Sequence, residues 1–236
     1  MAQGPAEIDA TREQEEHARG RNRNLAVSLT VIGVFVVVLA AVFVVDRLSG
    51  PGPAAVAAGE SRYVRADSHR LSVAADGKVT LVEFLDFECE ACRAAFPVVE
   101  DLRRQYAGKV TFVARYFPMP GHFNAERAAR AVEAAAAQGR FEAMYQRMYE
   151  TQAQWGEKQV PADDVFRGFA EDLGLDMTAW EKTYDDPATL ERIRKDVADG
   201  QALGVTGTPT FFLNGQRLQP RSEADFEAAI DAALAG

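Results

Sequence analysis

The stretch that decides the fold is Val79-Thr-Leu-Val-Glu-Phe-Leu-Asp-Phe-Glu-Cys-Glu-Ala-Cys92. Its first part, residues 79–86, is dense in β-branched and apolar side chains, which predicts a buried strand. Two cysteines follow directly, and apolar residues then recur at helical spacing over 94–106. The pattern therefore places a Cys-x-x-Cys pair between a buried strand and the beginning of a helix.

Cys89 and Cys92 are the only cysteines among the 236 residues. At a helix N-terminus, free backbone N–H groups and the helix dipole stabilise a thiolate on Cys89, and Cys92 lies one turn later. We therefore predict that Cys89 attacks a substrate to form a mixed disulfide, which Cys92 resolves. A zinc site needs more ligands, and a c-type haem needs a histidine where Arg93 stands. We expect no metal and no cofactor besides the Cys89–Cys92 disulfide.

The remaining pattern predicts an α/β domain whose two halves are separated by helices. A second strand over 110–117 suggests a parallel pair joined by a right-handed crossover. Asn214-Gly215 is a strong hairpin signal between two short strands. The further predicted elements are helices near 124–149, 162–173, 177–184 and 187–203, strands at 210–213 and 217–219, and a helix over 222–234. This βαβ, helical insertion, ββα order is the thioredoxin fold with helices inserted between its halves.

The N-terminal region predicts a membrane anchor. Residues 1–24 are polar, whereas 25–45 form an uncharged, almost wholly apolar run of 21 residues. As a helix this run is about 31 Å long, enough to cross a bilayer. Four arginines precede the run closely and one follows it, so the N-terminus is expected in the cytoplasm and the rest outside. A cleaved signal peptide is the alternative, but the nearest cleavage-like site, Ala55-Val56-Ala57, lies some distance beyond the run.

We predict a linker over 46–76 and a catalytic domain over 77–236, with its helical insertion at about 121–204. Gly, Pro and Ala dominate the first part of that linker. An exported domain faces an oxidising compartment, where a disulfide persists. The net charge of -9 argues against a nucleic-acid partner. We expect a monomeric, single-pass membrane protein.

The sequence resembles the DsbA-like family of exported thiol–disulfide oxidoreductases, as a membrane-anchored member. The likeness spans roughly 77–236. The segments that carry it are 82–92, Gly121-His-Phe-Asn-Ala125, Ala134–Gly139 and Gly207-Thr-Pro-Thr-Phe-Phe-Leu-Asn-Gly215.

The resemblance implies roles for three further residues. The Thr208–Pro209 peptide is expected to be cis, to pack against the cysteines and to bind an extended substrate peptide through the backbone of Thr208. The alternative is an ordinary turn proline. Glu83 matches the family's buried acid near the resolving cysteine, where it would relay a proton to or from Cys92. The alternative is an edge or surface glutamate on an alternating strand.

One departure from the family lies between the cysteines. The family's oxidases often carry Pro-His there, whereas this chain has Glu90-Ala91. A glutamate beside Cys89 opposes the thiolate, so we predict a less acidic Cys89 and a less oxidising pair than in strong oxidases. Arg93 offsets part of this effect. His122 is a lone histidine, and we assign it no catalytic role.

Three functions fit these residues. The first is an oxidase that introduces disulfides into exported cysteine-containing proteins and is recycled by a membrane redox partner. The second is a reductase or isomerase with the same chemistry, although 46–76 is too short for the dimerisation domain that isomerases of this fold usually carry. The third is a membrane-tethered binding module or holdase with a vestigial site.

Overall fold

The computed structural model describes residues 61–75 and 77–236. The predicted tail 1–24, the predicted span 25–45 and residues 46–60 and 76 of the predicted linker lie outside these residues. Among the residues described, none of the helices combines the length and the apolar character that crossing a membrane requires.

A five-stranded sheet forms the centre of the domain. The order across the sheet is β1-β3-β2-β4-β5. β2 and β3 run parallel, as predicted, and every other neighbouring pair is antiparallel. The strands are β1 His69–Ser72, β2 Thr80–Leu85, β3 Thr111–Tyr116, β4 Thr210–Leu213 and β5 Gln216–Leu218. Asn214 and Gly215 both have positive φ, of 49° and 79°, which makes the tight turn between β4 and β5.

The described residues contain seven helices, which pack around the sheet. α1 connects β2 to β3, five helices lie between β3 and β4, and the last follows β5. They are α1 Glu90–Gln105, α2 Ala125–Ala136, α3 Phe141–Trp155, α4 Asp163–Asp172, α5 Met177–Asp185, α6 Pro187–Ala202 and α7 Glu223–Ala235. The predicted mixed α/β architecture, with helices inserted between a βαβ and a ββα half, is confirmed.

The central strand β2 is buried on both faces, because helices cover both sides of the sheet. Leu81 and Leu85 belong to the core that α1 and α3 complete. Val82 and Phe84 point to the opposite face, where Phe212 completes a second cluster. Side chains alternate along a strand, so Glu83 shares the face of Leu81 and Leu85. This alternation places the carboxyl group of Glu83 beneath α1.

The structure corrects the linker prediction for residues 69–72. This segment is strand β1, in which His69 pairs with Ala114 of β3. The His69 ring stacks on Phe141 with centroids 4.0 Å apart. Further upstream, the Arg65 guanidinium makes a buried ion pair with Asp199. The folded domain therefore begins before residue 77, held by contacts with residues distant in sequence.

The structure also divides the helix predicted near 124–149. α2 ends at Ala136 and α3 begins at Phe141. Between them, Gly139 has a φ of 71°, and the backbone N–H of Arg140 donates to the carbonyl of Ala135 at 2.9 Å. A glycine in the left-handed region ends a helix readily, and the alanine-rich pattern on both sides concealed the break.

Candidate active site

Cys89 is the residue from which α1 begins. It occupies the N-cap position, and its backbone N–H donates to the carbonyl of Asp86 at 3.2 Å. Its side chain is half-buried, and its Sγ lies 3.3 Å from the carbonyl oxygen of Thr208. Cys92 lies one turn further along α1 and is fully buried. Both cysteines are free thiols, so the structure shows the reduced pair.

The two thiols have opposite acidities. The hydrogen bond from the Cys92 thiol is the largest influence on Cys89, and it outweighs burial. The side chain of Thr208 and the N–H groups of the first turn of α1 add to it, lowering the pKa of Cys89 from 9.0 to about 5. Burial, followed by the hydrogen bond with Cys89, raises the pKa of Cys92 well above 9.0. At neutral pH Cys89 is therefore a thiolate and Cys92 a thiol.

The Thr208–Pro209 loop lies against this pair, as the resemblance implied. Its peptide bond is cis. The loop precedes β4, and the hydroxyl of Thr210 donates to the carbonyl of Gly207 at 2.7 Å. The contact between Thr208 and Cys89 brings together residues 119 positions apart. Binding of a substrate peptide by Thr208 and Pro209 stays a prediction.

Glu83 is buried rather than on an edge or surface. Only 6 % of it is exposed. Burial, and then the negative charges of Glu100 and Cys89, raise its pKa from 4.5 to about 8. The charge of Glu83 in turn helps to raise the pKa of Cys92. The burial implied by the resemblance is confirmed, and the proton-relay role stays a prediction.

Asp86, which the sequence analysis did not single out, organises the turn before Cys89. Its carboxylate is buried, with one oxygen accepting from the backbone N–H of Glu88 at 2.8 Å. The other oxygen accepts from the N–H of Met119 at 2.8 Å and contacts Nδ1 of His122 at 2.6 Å. Burial raises the pKa of Asp86 to about 6, against the lowering effect of these hydrogen bonds. The loop after β3 is thereby attached to the turn formed by residues 86–89.

Two other polar residues complete this frame. The buried carboxylate of Glu88 accepts from the backbone N–H groups of Asn124 at 2.5 Å and Glu157 at 3.1 Å. The amide of Gln152, on α3, donates to the carbonyls of Phe87 at 2.7 Å and Cys89 at 2.9 Å. Each of these contacts joins residues that are far apart in the sequence. The local sequence pattern therefore could not predict them. The density of acids just before Cys89 was the one available signal.

The arrangement supports thiol exchange by protein side chains. Within residues 61–75 and 77–236, no group of three or more His, Cys, Asp or Glu is placed to hold a metal ion. A half-exposed thiolate with a buried thiol behind it can form and resolve a mixed disulfide.

A family model described as thioredoxin matches residues 74–232. The chain belongs to this thioredoxin family. Its pair of free cysteines lies at the start of α1.

Solved structures share the thioredoxin-like fold. A thioredoxin-like oxidoreductase from Silicibacter pomeroyi DSS-3 superposes with a TM-score of 0.61 at 26 % identity, covering 73 % of this chain and 95 % of that one. BdbD from Bacillus subtilis gives 0.64 at 20 % identity, covering 72 % and 94 %. Wolbachia pipientis α-DsbA1 gives 0.65 at 17 % identity, covering 75 % and 96 %.

Curated relatives of the chain are longer proteins. The Na(+)/H(+) antiporter NhaA of Herminiimonas arsenicoxydans is 36 % identical over 155 residues, which are 66 % of this chain and 24 % of the antiporter. Na(+)/H(+) antiporter NhaA 1 of Mycobacterium sp. (strain KMS) is 29 % identical over 227 residues, 92 % of this chain and 35 % of the antiporter. The chain thus spans about a quarter to a third of the length of these relatives.

Proposed function

We propose that the chain is a membrane-anchored, DsbA-like oxidase that introduces disulfides into exported proteins through Cys89 and Cys92. One observation carries the proposal. Cys89 is a half-exposed thiolate, with a pKa of about 5, lying against the Thr208–Pro209 loop, while Cys92 is buried behind it. This placement lets a substrate reach one sulfur and keeps the other for resolution.

The reaction begins from the Cys89–Cys92 disulfide. A substrate thiolate attacks the accessible sulfur of Cys89, so a mixed disulfide forms and the thiolate of Cys92 leaves. A second substrate thiolate then attacks the substrate sulfur of the mixed disulfide and displaces Cys89 as a thiolate. The substrate gains a disulfide, and the enzyme takes up two electrons as the reduced pair.

The low pKa of Cys89 favours the oxidase over the reductase. A stabilised thiolate is a better leaving group in the second step, and it stabilises the reduced enzyme, which makes the pair more oxidising. A reductase or isomerase would use the same atoms from a reduced resting state. A binding module would need neither sulfur.

Glu83 is suited to donate a proton to Cys92 and to accept it back. With a pKa of about 8, this buried carboxyl group is neutral near pH 7 and can donate when Cys92 leaves as a thiolate. Its carboxylate can take the proton back when the pair is reoxidised. The charge coupling between Glu83 and Cys92 supports this role.

Thr208 and Pro209 are the proposed substrate-binding residues. Their loop contacts Cys89, so a peptide whose cysteine has reacted there would run along it. The backbone of Thr208 would pair with such an extended peptide as an added strand does.

Residues 25–45 support the proposed location, with the catalytic domain on the outer side of the membrane. The reduced pair would be reoxidised by a membrane partner carrying its own disulfide, which takes up the two electrons. The curated relatives add a second candidate partner, because they place a segment similar to this chain within proteins named Na(+)/H(+) antiporters. An antiporter copurifying with the chain would support that candidate, and unchanged antiport after deletion of the chain would count against it.

Trapping tests the proposal. Cys92→Ala removes the sulfur that can attack Cys89 and release a bound client, so mixed disulfides formed when the Cys89 thiolate attacks a client disulfide are expected to accumulate and to identify the exported clients. Cys89→Ser is the matched control, because it keeps the fold and one thiol but removes the accessible sulfur. The oxidised parent is expected to convert a reduced two-cysteine peptide to its disulfide. A parent that only reduces disulfide peptides would refute the oxidase, and retained binding without any exchange would favour the binding module.

A further inference from the structure

The redox motif itself offers Cys89 no cation between its two cysteines. The intervening residues are Glu90 and Ala91, and the side chain of Arg93 is exposed. A thiolate is stabilised by a nearby positive charge, whichever segment supplies it. The loop between β3 and α2 carries such a group, the imidazole of His122.

Two hydrogen bonds connect the imidazole of His122 to the peptide of Cys89. Nδ1 of His122 lies 2.6 Å from Oδ2 of Asp86, and the carbonyl of Asp86 accepts the backbone N–H of Cys89 at 3.2 Å. The N–H of Met119 donates to the same carboxylate oxygen, which holds the histidine's own loop in place. The ring is 26 % exposed, so it is fixed but still reached by solvent.

The surroundings of His122 favour its charged form. Burial lowers its pKa, but the hydrogen bond and charge of Asp86 outweigh it, and the charges of Cys89 and Glu157 act in the same direction, so the pKa is raised above 6.5. Glu88 also interacts with the histidine. The depression beside the ring is bordered in addition by Glu126 and Arg194.

We propose that His122, held by Asp86, is the cationic partner of the Cys89 thiolate, supplied by a separate loop in place of a histidine between the cysteines. The proposal rests on disulfide exchange through Cys89. His122 acts on the sulfur by its charge and takes no part in bond making, so it is a positioning residue. Without its charge the thiolate is less stable and the pair less oxidising.

The main rival is a purely structural role, in which His122 only fastens its loop to Asp86. His122→Asn separates the two roles, because the asparagine amide can donate to Asp86 but carries no charge. His69→Asn is the matched control. That histidine lies in β1, and its Nε2 is 2.7 Å from a carboxylate oxygen of Glu133. This contact does not involve the turn at residues 86–89.

The first measurement is the titration of Cys89 in the reduced protein, followed by the ultraviolet absorbance of the thiolate. We expect His122→Asn to raise the pKa of Cys89 by about half to one unit at low salt, and by less at high salt, because solvent and ions screen the interaction. His69→Asn is expected to titrate like the parent. A folded His122→Asn variant that also titrates like the parent would overturn the proposal.

The second measurement needs no variant. Coupling between two sites is reciprocal, so the thiolate must raise the pKa of His122 as much as His122 lowers that of Cys89. NMR titration of the parent is therefore expected to give a higher pKa for His122 in the reduced form than in the disulfide form. Equal values in the two forms would refute the proposal. If the parent exchanges no disulfides, the proposed function is refuted. The two titrations would still decide the role of His122, because they measure ionisation and not exchange.

Discussion

Replacing Glu83 by glutamine isolates the free energy of one buried charge. Burial raises the pKa of this carboxyl group from 4.5 to about 8. The folded pKa is the higher one, so the folded state holds the proton more tightly than the unfolded state. The stability of the protein therefore falls as pH rises from about 4.5 to about 8, as the unfolded chain ionises first.

The size of the effect follows from that difference. One pKa unit corresponds to about 1.4 kcal/mol. Relative to a neutral side chain of the same shape, the carboxyl group of Glu83 then costs nothing below about pH 4, about 3 kcal/mol at about pH 7 and about 5 kcal/mol above about pH 8. Glu83→Gln is expected to raise the free energy of unfolding by these amounts.

Urea unfolding of the reduced protein at about pH 5, 7 and 8.5 measures this gain. Glu150→Gln is the matched control, because Glu150 is exposed on α3 and its replacement is expected to change little at any pH. A gain that is the same at all three pH values would refute the reasoning. If Glu83 also relays the proton of Cys92, Glu83→Gln slows disulfide exchange while leaving the alkylation of Cys89 unchanged.

Three further predictions concern the site and its support. Alkylation of Cys89 in the reduced protein is expected to be independent of pH above about 6 and to fall about tenfold per unit below about 5, because only the thiolate reacts. Gln152→Ala removes the side-chain donor from the buried carbonyl of Phe87 and one of the two donors to the carbonyl of Cys89, which keeps the N–H of Arg93; it is expected to lower the free energy of unfolding by about 1–3 kcal/mol and to slow exchange. Gly200→Ala would place a Cβ 2.7 Å from Cδ2 of Phe117, and is expected to cost about 1–3 kcal/mol in urea unfolding.

Matched variants control the last two predictions. Gln154→Ala, two residues further along α3 and exposed, is expected to stay within about 0.5 kcal/mol of the parent. Gly168→Ala meets no atom within 4 Å and is expected to stabilise α4 by about 0.5–1 kcal/mol. Equal losses from both glutamine variants, or a neutral Gly200→Ala, would contradict the contacts described. An alkylation rate that still rises above about pH 8 would contradict the acidity of Cys89.

Several features of the fold followed from local pattern. The apolar run before Cys89 predicted β2, and Asn214-Gly215 predicted the β4–β5 turn, because both depend on neighbouring residues alone. The sequence pattern predicted neither the helix break at Gly139 nor the strand at 69–72. The first is hidden by alanines that favour helix on both sides, and the second is a four-residue segment held by its pairing with β3.

The sequence by itself determined where the two cysteines lie, since a Cys-x-x-Cys pair between a strand and a helix puts one sulfur at a helix N-terminus and the other one turn behind it. The tertiary structure alone decided the electrostatic setting of that pair. Glu83 could have faced solvent, and His122 looked like a lone packing residue, until the sheet and the loop after β3 were assembled. Ionisation depends on burial and on charges that come from anywhere in the chain, so it is a property of the assembled fold rather than of any segment.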